Sequence, residues 1–242
     1  MPELRVHNLP TQIAPDALAG STVVVIDLLR ATSSICQALA AGATEVVPFL
    51  EVEDAIAAWA KSHREKVVLG GERHGQRIDG FDLGNSPSEY TPASVGGRRV
   101  FITTTNGTRA LDHARQASRV LLGSFLNLSA VVASLQGAAR IDILCAGTDG
   151  AESREDILAA GAIVEMLTAN VSSDWQLDEG ATEALAQWRS RGDDLAFDLR
   201  STPGGRNLLE IGMDDDLVDC ARIDTLAVVP ELNVSTWQIT AG

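Results

Sequence analysis

At 242 residues, 45% hydrophobic and 21% charged, the chain suits a globular protein of one large or two small domains. Its formal net charge of −14 argues against nucleic acid or an anionic membrane as partner. No apolar run approaches the roughly 20 residues that span a bilayer, the N-terminus MPELRVHNLP lacks a signal-peptide layout, and three scattered cysteines (Cys36, Cys145, Cys220) suggest neither disulfides nor zinc, so we expect a cytoplasmic protein.

The charge is uneven. Residues 1–149 carry 13 Lys and Arg against 15 Asp and Glu, whereas residues 150–242 carry 6 against 18. The arginines therefore sit where the candidate motifs lie, and local guanidinium groups can dominate a site despite the global charge. The acidic part, 171–242, offers no functional reading of its own.

In chain order, 21–29 (STVVVIDLL) reads as a buried strand ending in Asp27 and Arg30, and 31–41 as a helix stopped by Gly42. Thr32, Ser33 and Ser34 stand where an N-cap is wanted, but ordinary capping leaves Asp27 and Arg30 unexplained. Residues 45–49 predict a strand, 52–61 an amphipathic helix, and 66–69 a third strand.

That strand enters 70–90, GGERHGQRIDGFDLGNSPSEY, too rich in glycine and turn residues to predict one helix or strand. Glu72, Asp82, Arg73, Arg77 and His74 lie in it, so it offers acids for a cation and donors for an anion. Loops this long in compact domains are commonly functional.

A helical turn within 86–93 precedes a strand at 98–103, which runs into Thr104-Thr105-Asn106-Gly107-Thr108-Arg109. Hydroxyls, an Asn-Gly turn and an arginine entering a helix form a plausible anion cradle. Strands follow at 119–123 and 141–145, with a helix at 126–135 between them. The second strand leads to Ala146-Gly147-Thr148-Asp149-Gly150, and Ser153 opens a long helix to Asn170. Ser153 with Asp156 three residues later reads as a capping box.

Helices are predicted at 179–191 and 206–211, a turn at Thr202-Pro203-Gly204-Gly205, and a last strand at 226–229 ended by Pro230. Asp214-Asp215-Asp216 reads as the charged first turn of a short helix.

Recurring strand, loop and helix predict an α/β, three-layer α/β/α domain over 1–242 with a largely parallel central sheet. The motifs occupy 21–170 of it. Every candidate loop follows a strand, and in such sheets ligands bind beyond the carboxyl ends of strands. Gly-x-Gly-x-x-Gly, Gly-x4-Gly-Lys-[Ser/Thr], Gly-x-Ser-x-Gly and His-Glu-x-x-His are absent. A cysteine phosphatase would place arginine six positions after its nucleophile, where Cys145 finds Ala151. What remains is a hard-cation site of carboxylates beside arginines, suited to Mg²⁺ and a phosphorylated substrate.

Four co-linear blocks carry a resemblance: Asp27-Leu-Leu-Arg30-Ala-Thr32-Ser; Gly71-Glu72-Arg73 with Gly80-Phe-Asp82-Leu-Gly84-Asn85-Ser86-Pro87; Thr103-Thr-Thr-Asn106-Gly107-Thr108-Arg109; and Cys145-Ala-Gly147-Thr148 with Glu155-Asp156. Together they resemble the 2-phosphosulfolactate phosphatase family. The resemblance implies a Mg²⁺-dependent phosphatase that converts 2-phosphosulfolactate, or a related 2-phospho-hydroxy acid, to sulfolactate and phosphate, as in coenzyme M biosynthesis. It points to Asp27, Arg30, Glu72, Arg73, Asp82 and Arg109 as catalytic. Asp27, Glu72 and Asp82 are the first choices for Mg²⁺ ligands, with Glu155 or Asp156 as further candidates.

Thr32, Asn85, Ser86, Thr104, Asn106, Gly107, Thr108, Gly147 and Thr148 are the expected substrate contacts, the partner being a small anionic phosphorylated molecule. Metal-activated water is the favoured nucleophile, and an aspartyl-phosphate on Asp27 the competing one. Cys145 reads as a packed strand end, and His74 as a lesser candidate to protonate the leaving oxygen. A homodimer is expected only from base rates. The alternative is a non-catalytic sensor of a small organic phosphate or sulfonate. Acids beside the arginines favour turnover, because unshielded carboxylates would repel an anion merely being sensed.

Overall fold

The computed structural model describes residues 1–169 and 174–242. The β-branched run Thr22–Ile26 forms β2, after an N-terminal strand β1, Glu3–His7. Helix α1 (Ala31–Ala40), β3 (Glu45–Pro48), α2 (Val52–Ala60), β4 (Val67–Arg73) and β5 (Gln76–Arg77) follow. Next come α3 (Pro92–Val95), β6 (Arg99–Thr103), α4 (Gly107–His113), β7 (Arg119–Leu122), α5 (Leu128–Ser134) and β8 (Arg140–Cys145). Beyond them lie α6 (Arg154–Thr168), β9 (Gln176–Leu177), α7 (Glu179–Arg189), α8 (Leu195–Arg200), α9 (Pro203–Glu210), α10 (Asp214–Cys220), β10 (Pro230–Asn233) and β11 (Gln238–Ala241).

The strands join one sheet in the order β5-β4-β6-β3-β11-β10-β7-β2-β8-β1-β9. Two parallel blocks, β4-β6-β3 and β7-β2-β8-β1-β9, are bridged by the β10–β11 hairpin, antiparallel to both neighbours. Successive residues of β2 point to opposite faces, and both faces are buried. Val24 and Ile26 pack with Leu158 and Ile163 of α6, Val23 and Val25 with Ile35 of α1 and Leu111 of α4. That double burial makes the strand a continuous apolar run and gives the expected three-layer α/β/α class. A smaller cluster, Ala55, Val67, Leu69, Phe81 and Phe101, covers the β4 end under α2. No helix among the described residues is long and apolar enough to cross a membrane.

Several local expectations are corrected. The glycine-rich 70–90 segment is not all loop, since β4 continues through Gly70 and Gly71 before turning into β5. Gly71 holds φ +144°, and a Cβ there would lie 2.1 Å from the Thr103 carbonyl oxygen. Only glycine lets β4 approach β6 so closely.

Residues 226–229 form no strand. Pro230 instead begins β10, taking the first position of a strand, where its missing N–H costs no ladder bond. The Pro203-Gly204-Gly205 turn is the first turn of α9, capped by the Thr202 side chain, which accepts the Gly205 N–H. Asp194 caps α8 through the Phe197 N–H. Asn170, the expected end of the long helix, lies outside the described residues.

Candidate active site

The carboxyl end of β2 delivers Asp27 into a cleft enclosing about 560 Å³ of space open to solvent. The Ala31 N–H donates to Asp27 Oδ1 at 3.3 Å, and Thr32 brackets the Asp27 main chain, accepting its N–H and donating to its carbonyl. Thr32, Ser33 and Ser34 are not N-caps of α1, which has no side-chain cap; Ser33 bonds the Leu28 carbonyl and Ser34 the Asn85 carbonyl. Their hydroxyls stitch the β2–α1 turn to its surroundings. Gly107 closes in from the other side. A Cβ there would meet Ala31 Cβ at 2.6 Å and Asp27 Oδ2 at 2.8 Å.

Glu72, at the end of β4, is a junction between loops. Its Oε2 accepts the Gly75 N–H at 2.8 Å, and its Oε1 accepts the Thr105 N–H at 2.7 Å. This holds the His74–Gly75 turn over the cleft, with His74 at φ +54° and facing the same space. The Gly75 carbonyl in turn accepts from Arg30 at 2.5 Å.

Asp156 ties the loop after β8 to the loop after β2. Its Oδ1 accepts the Leu28 N–H at 2.8 Å and its Oδ2 the Gly147 N–H at 3.1 Å. The capping-box reading is therefore corrected: Ser153 makes no side-chain cap, its Oγ lying 2.7 Å from Thr148 Oγ1. The Asn106 side chain accepts the Asp149 N–H at 3.3 Å, so the loops after β6 and β8 touch directly. The carboxyl ends of β2, β4, β6 and β8 thus meet, although the hairpin reverses the sense between the two blocks.

Four carboxylates are buried here with little to balance them: Asp27, Glu72, Glu155 and Asp156. Burial, then the charges of Glu72 and Glu155, push Asp27 up to about 7 against the Ala31 N–H and Arg30. Burial and the Asp27 and Glu155 charges raise Asp156 well above its ordinary value, and burial raises Glu155 despite bonds from Thr202 and Gly204. Arg30 is the only cationic side chain lining the cleft among the described residues. It is already paired to Asp216, Nη1 to Oδ2 at 2.5 Å.

Of the residues expected from sequence, Asp27, Arg30, Glu72, Asn85, Asn106 and Thr148 line the cleft. Asn85 Oδ1 is buried without a partner among the described residues. Ser86, Thr104, Thr108, Gly147, Glu155 and Asp156 stand behind the walls. The Ser86 hydroxyl donates to Asp216, and Thr104 and Thr108 bond each other.

Three stand apart. Arg73 turns to the Glu72 and Leu50 carbonyls and Thr103 Oγ1. Asp82 is exposed and its Oδ2 accepts the Leu69 N–H at 2.9 Å, while Arg109 is exposed on α4. Cys145 is fully buried, and burial pushes its thiol well up, as suits a packed strand end.

The acidic C-terminal part supplies residues that sequence reasoning missed. Gly204, Asn207 and Leu208 of α9 line the cleft, and Asp216 of α10 meets Arg30. The Thr-Pro-Gly-Gly run carried the one usable signal. Glu155 Oε1 lies 2.0 Å from where a Cβ of Gly204 would stand, so the glycine admits that carboxylate.

Among the described residues no three His, Cys, Asp or Glu side chains converge as a ready-made metal cage. Glu72 and Asp156 are occupied by main-chain N–H groups, and Asp82 lies outside. Asp27 in the cleft retains a free oxygen, and so does Glu155 just behind its wall, whose Oε2 is buried without a partner among the described residues. Two carboxylates completed by water and phosphate oxygens are a normal complement for Mg²⁺, so the donor set fits that ion.

The chain matches the family model described as 2-phosphosulpholactate phosphatase over residues 7–234. It is 41% identical over 230 residues to a probable 2-phosphosulfolactate phosphatase of Caldanaerobacter subterraneus subsp. tengcongensis, covering 95% of each chain. A protein of the same description from Symbiobacterium thermophilum is 43% identical, over 89% of this chain and 92% of its own. Another, from Deinococcus radiodurans, is 41% identical, over 95% and 92%. The chain belongs to the 2-phosphosulfolactate phosphatase family, a family of phosphoric monoester hydrolases.

Proposed function

From that membership we propose that the protein is a Mg²⁺-dependent phosphatase that hydrolyses 2-phosphosulfolactate, or a closely related 2-phospho-hydroxy acid, to the hydroxy acid and phosphate. The observation that carries the metal is the imbalance of charge: Asp27 and Glu72 line the cleft, Glu155 and Asp156 are buried behind its wall, and the one arginine lining it is already neutralised by Asp216. A polyanionic phosphate ester would be repelled from such a site without a divalent cation. Asp27 and Glu155 are the residues that would hold Mg²⁺. When bound, the ion shields the phosphoryl oxygens and offsets charge on the leaving alkoxide.

The chain's own residues position the rest. Arg30 presents guanidinium N–H groups to the substrate's anionic groups. The Asn85 and Asn106 amides and the Thr148 hydroxyl orient its oxygens. Water attacks phosphorus, the bond from phosphorus to the C2 oxygen breaks, and that oxygen leaves with a proton. Placement of the activity in coenzyme M biosynthesis is part of the same proposal and rests on the family resemblance alone.

The test is phosphate release from 2-phosphosulfolactate, 2-phospholactate and 2-phosphoglycolate, in Mg²⁺ and in EDTA, with Asp27→Asn alongside. Release that requires Mg²⁺ and is lost in the variant is the expected result. Release undiminished in EDTA would remove the metal, and no release from any substrate would remove the phosphatase.

A further inference from the structure

Asp216 sits on α10, in the acidic part of the chain that offered no functional reading. Its neighbours Asp214 and Asp215 are exposed, as a solvated first turn should be, but Asp216 is only 3% exposed. It reaches across 186 residues of sequence to Arg30, itself 3% exposed. A charge pair this deeply buried needs further hydrogen bonds to hold it. Both partners have them. Asp216 Oδ1 accepts the Ser86 hydroxyl, fixing the carboxylate, and Arg30 Nη2 donates to the Gly75 carbonyl at 2.5 Å. Met213 Sδ lies 3.2 Å from Nη1.

The guanidinium is therefore gripped at Nη1 and Nη2 from two directions, while its Nε takes no partner among the described residues and Arg30 lines the cleft. A guanidinium has five N–H donors in a rigid plane. Fixing two of its nitrogens fixes where the remaining donors point.

We propose that Asp216 is a positioning residue for substrate recognition: it locks the plane of Arg30 so that the unoccupied donors face the substrate's anionic groups. Ser86 and the Gly75 carbonyl complete the grip. By this arrangement the C-terminal helices take part in the active site without supplying a reacting group. The pair is neutral overall, so its contribution is directional, with orientation mattering more than added positive charge. The proposal rests on the phosphatase reading for its substrate but not for its geometry.

The test compares wild type, Asp216→Asn and Asp216→Glu, with Asp214→Asn and Asp215→Asn as surface controls. KM and kcat for 2-phosphosulfolactate are measured with Mg²⁺, and its affinity by calorimetry in Ca²⁺. In Asp216→Asn we expect KM to rise and affinity to fall about 10- to 100-fold, the scale of a charge-assisted hydrogen bond, with a smaller change in kcat. Asp216→Glu should recover part of the loss, and the controls should match wild type. A variant with lower thermal stability but unchanged KM and affinity would overturn the proposal and leave the phosphatase reading intact. If wild type binds the ester without hydrolysing it, that reading falls, and the affinities of the variants still decide the role of Asp216. If wild type does neither, both fall. Should Asp216→Asn not fold, Ser86→Ala decides, because it frees the carboxylate while keeping the ion pair. A several-fold rise in KM is expected there, and no change would overturn the proposal.

Discussion

The Glu72 carboxylate accepts the Thr105 N–H at 2.7 Å and so fastens the loop after β6 to the turn after β4. The same carboxylate holds Gly75, whose carbonyl grips Arg30. Glu72 is thus a brace between loops, whereas the family resemblance places it among the metal candidates. Glu72→Ala leaves two main-chain donors without partners, a loss of about 1–3 kcal/mol in stability for a buried group. Activity should fall with it, since the turn that orients Arg30 is released. Glu72→Gln keeps one of the two acceptor oxygens, so it should retain part of the stability and leave the Mg²⁺ concentration for half-maximal rate unchanged. Denaturant melts and Mg²⁺ titrations of the two variants check this, and a large shift in Mg²⁺ requirement for Glu72→Gln would make it a ligand.

Gly107→Ala probes the closeness of α4 to Asp27. The added methyl would lie 2.6 Å from Ala31 Cβ and 2.8 Å from Asp27 Oδ2, so the turn or the helix must move. Overpacking of this kind costs about 1–3 kcal/mol. A displacement of a reacting group by an ångström costs on the order of 100-fold in rate. We expect the variant to fold with a lowered melting temperature and to lose about that much kcat, a scale set by positioning. Wild-type kcat in this variant would show that Asp27 tolerates displacement.

The α/β class was legible because β2, β6 and β8 are apolar runs ended by polar turns, a local pattern. The convergence of their loops was legible from the rule that ligands bind beyond strand carboxyl ends. What escaped reading depends on contacts made at long range. Asp156 fits a local capping box, yet its partners are Leu28, 128 residues away, and Gly147. Asp216 fits a solvated helix start, yet it is buried against Arg30. Pro230 is read as a stop, yet it begins a strand inserted between two parallel blocks. Composition cannot distinguish these cases, because each residue type has a local role that competes with the tertiary one.

Asp82 and Arg109 separate motif from geometry. Both belong to the blocks that carry the family resemblance, but neither lines the cleft, and both are exposed. Asp82 braces Leu69 N–H at the β4 edge. Asp82→Asn and Arg109→Ala should therefore leave kcat/KM within a few-fold of wild type, while Asp27→Asn abolishes it. Side-by-side phosphate-release assays at saturating Mg²⁺ decide the matter. A collapse of activity in Arg109→Ala would mean that α4 turns inward when substrate binds.

The last prediction concerns pH. In the folded protein the Asp27 carboxyl titrates at about 7, above its ordinary 3.8, chiefly because it is buried and secondarily because Glu72 and Glu155 repel its charge. Between those two values the folded state holds a proton that the unfolded chain has released. Stability from this group is therefore fully present below the unfolded value and is lost as pH rises through about 7. At about 1.4 kcal/mol per unit, the loss is a few kcal/mol. Asp27→Asn carries no such charge, so in EDTA at pH 8 it should melt above wild type, with the gap narrowing toward pH 5. Mg²⁺ should raise the wild-type melting temperature at pH 8 by shielding the carboxylate, and should do so much less in the variant. A wild type that melts above Asp27→Asn at pH 8 in EDTA would show that the carboxylate is stabilised where it stands, and the case for a cation at Asp27 would lose its electrostatic basis.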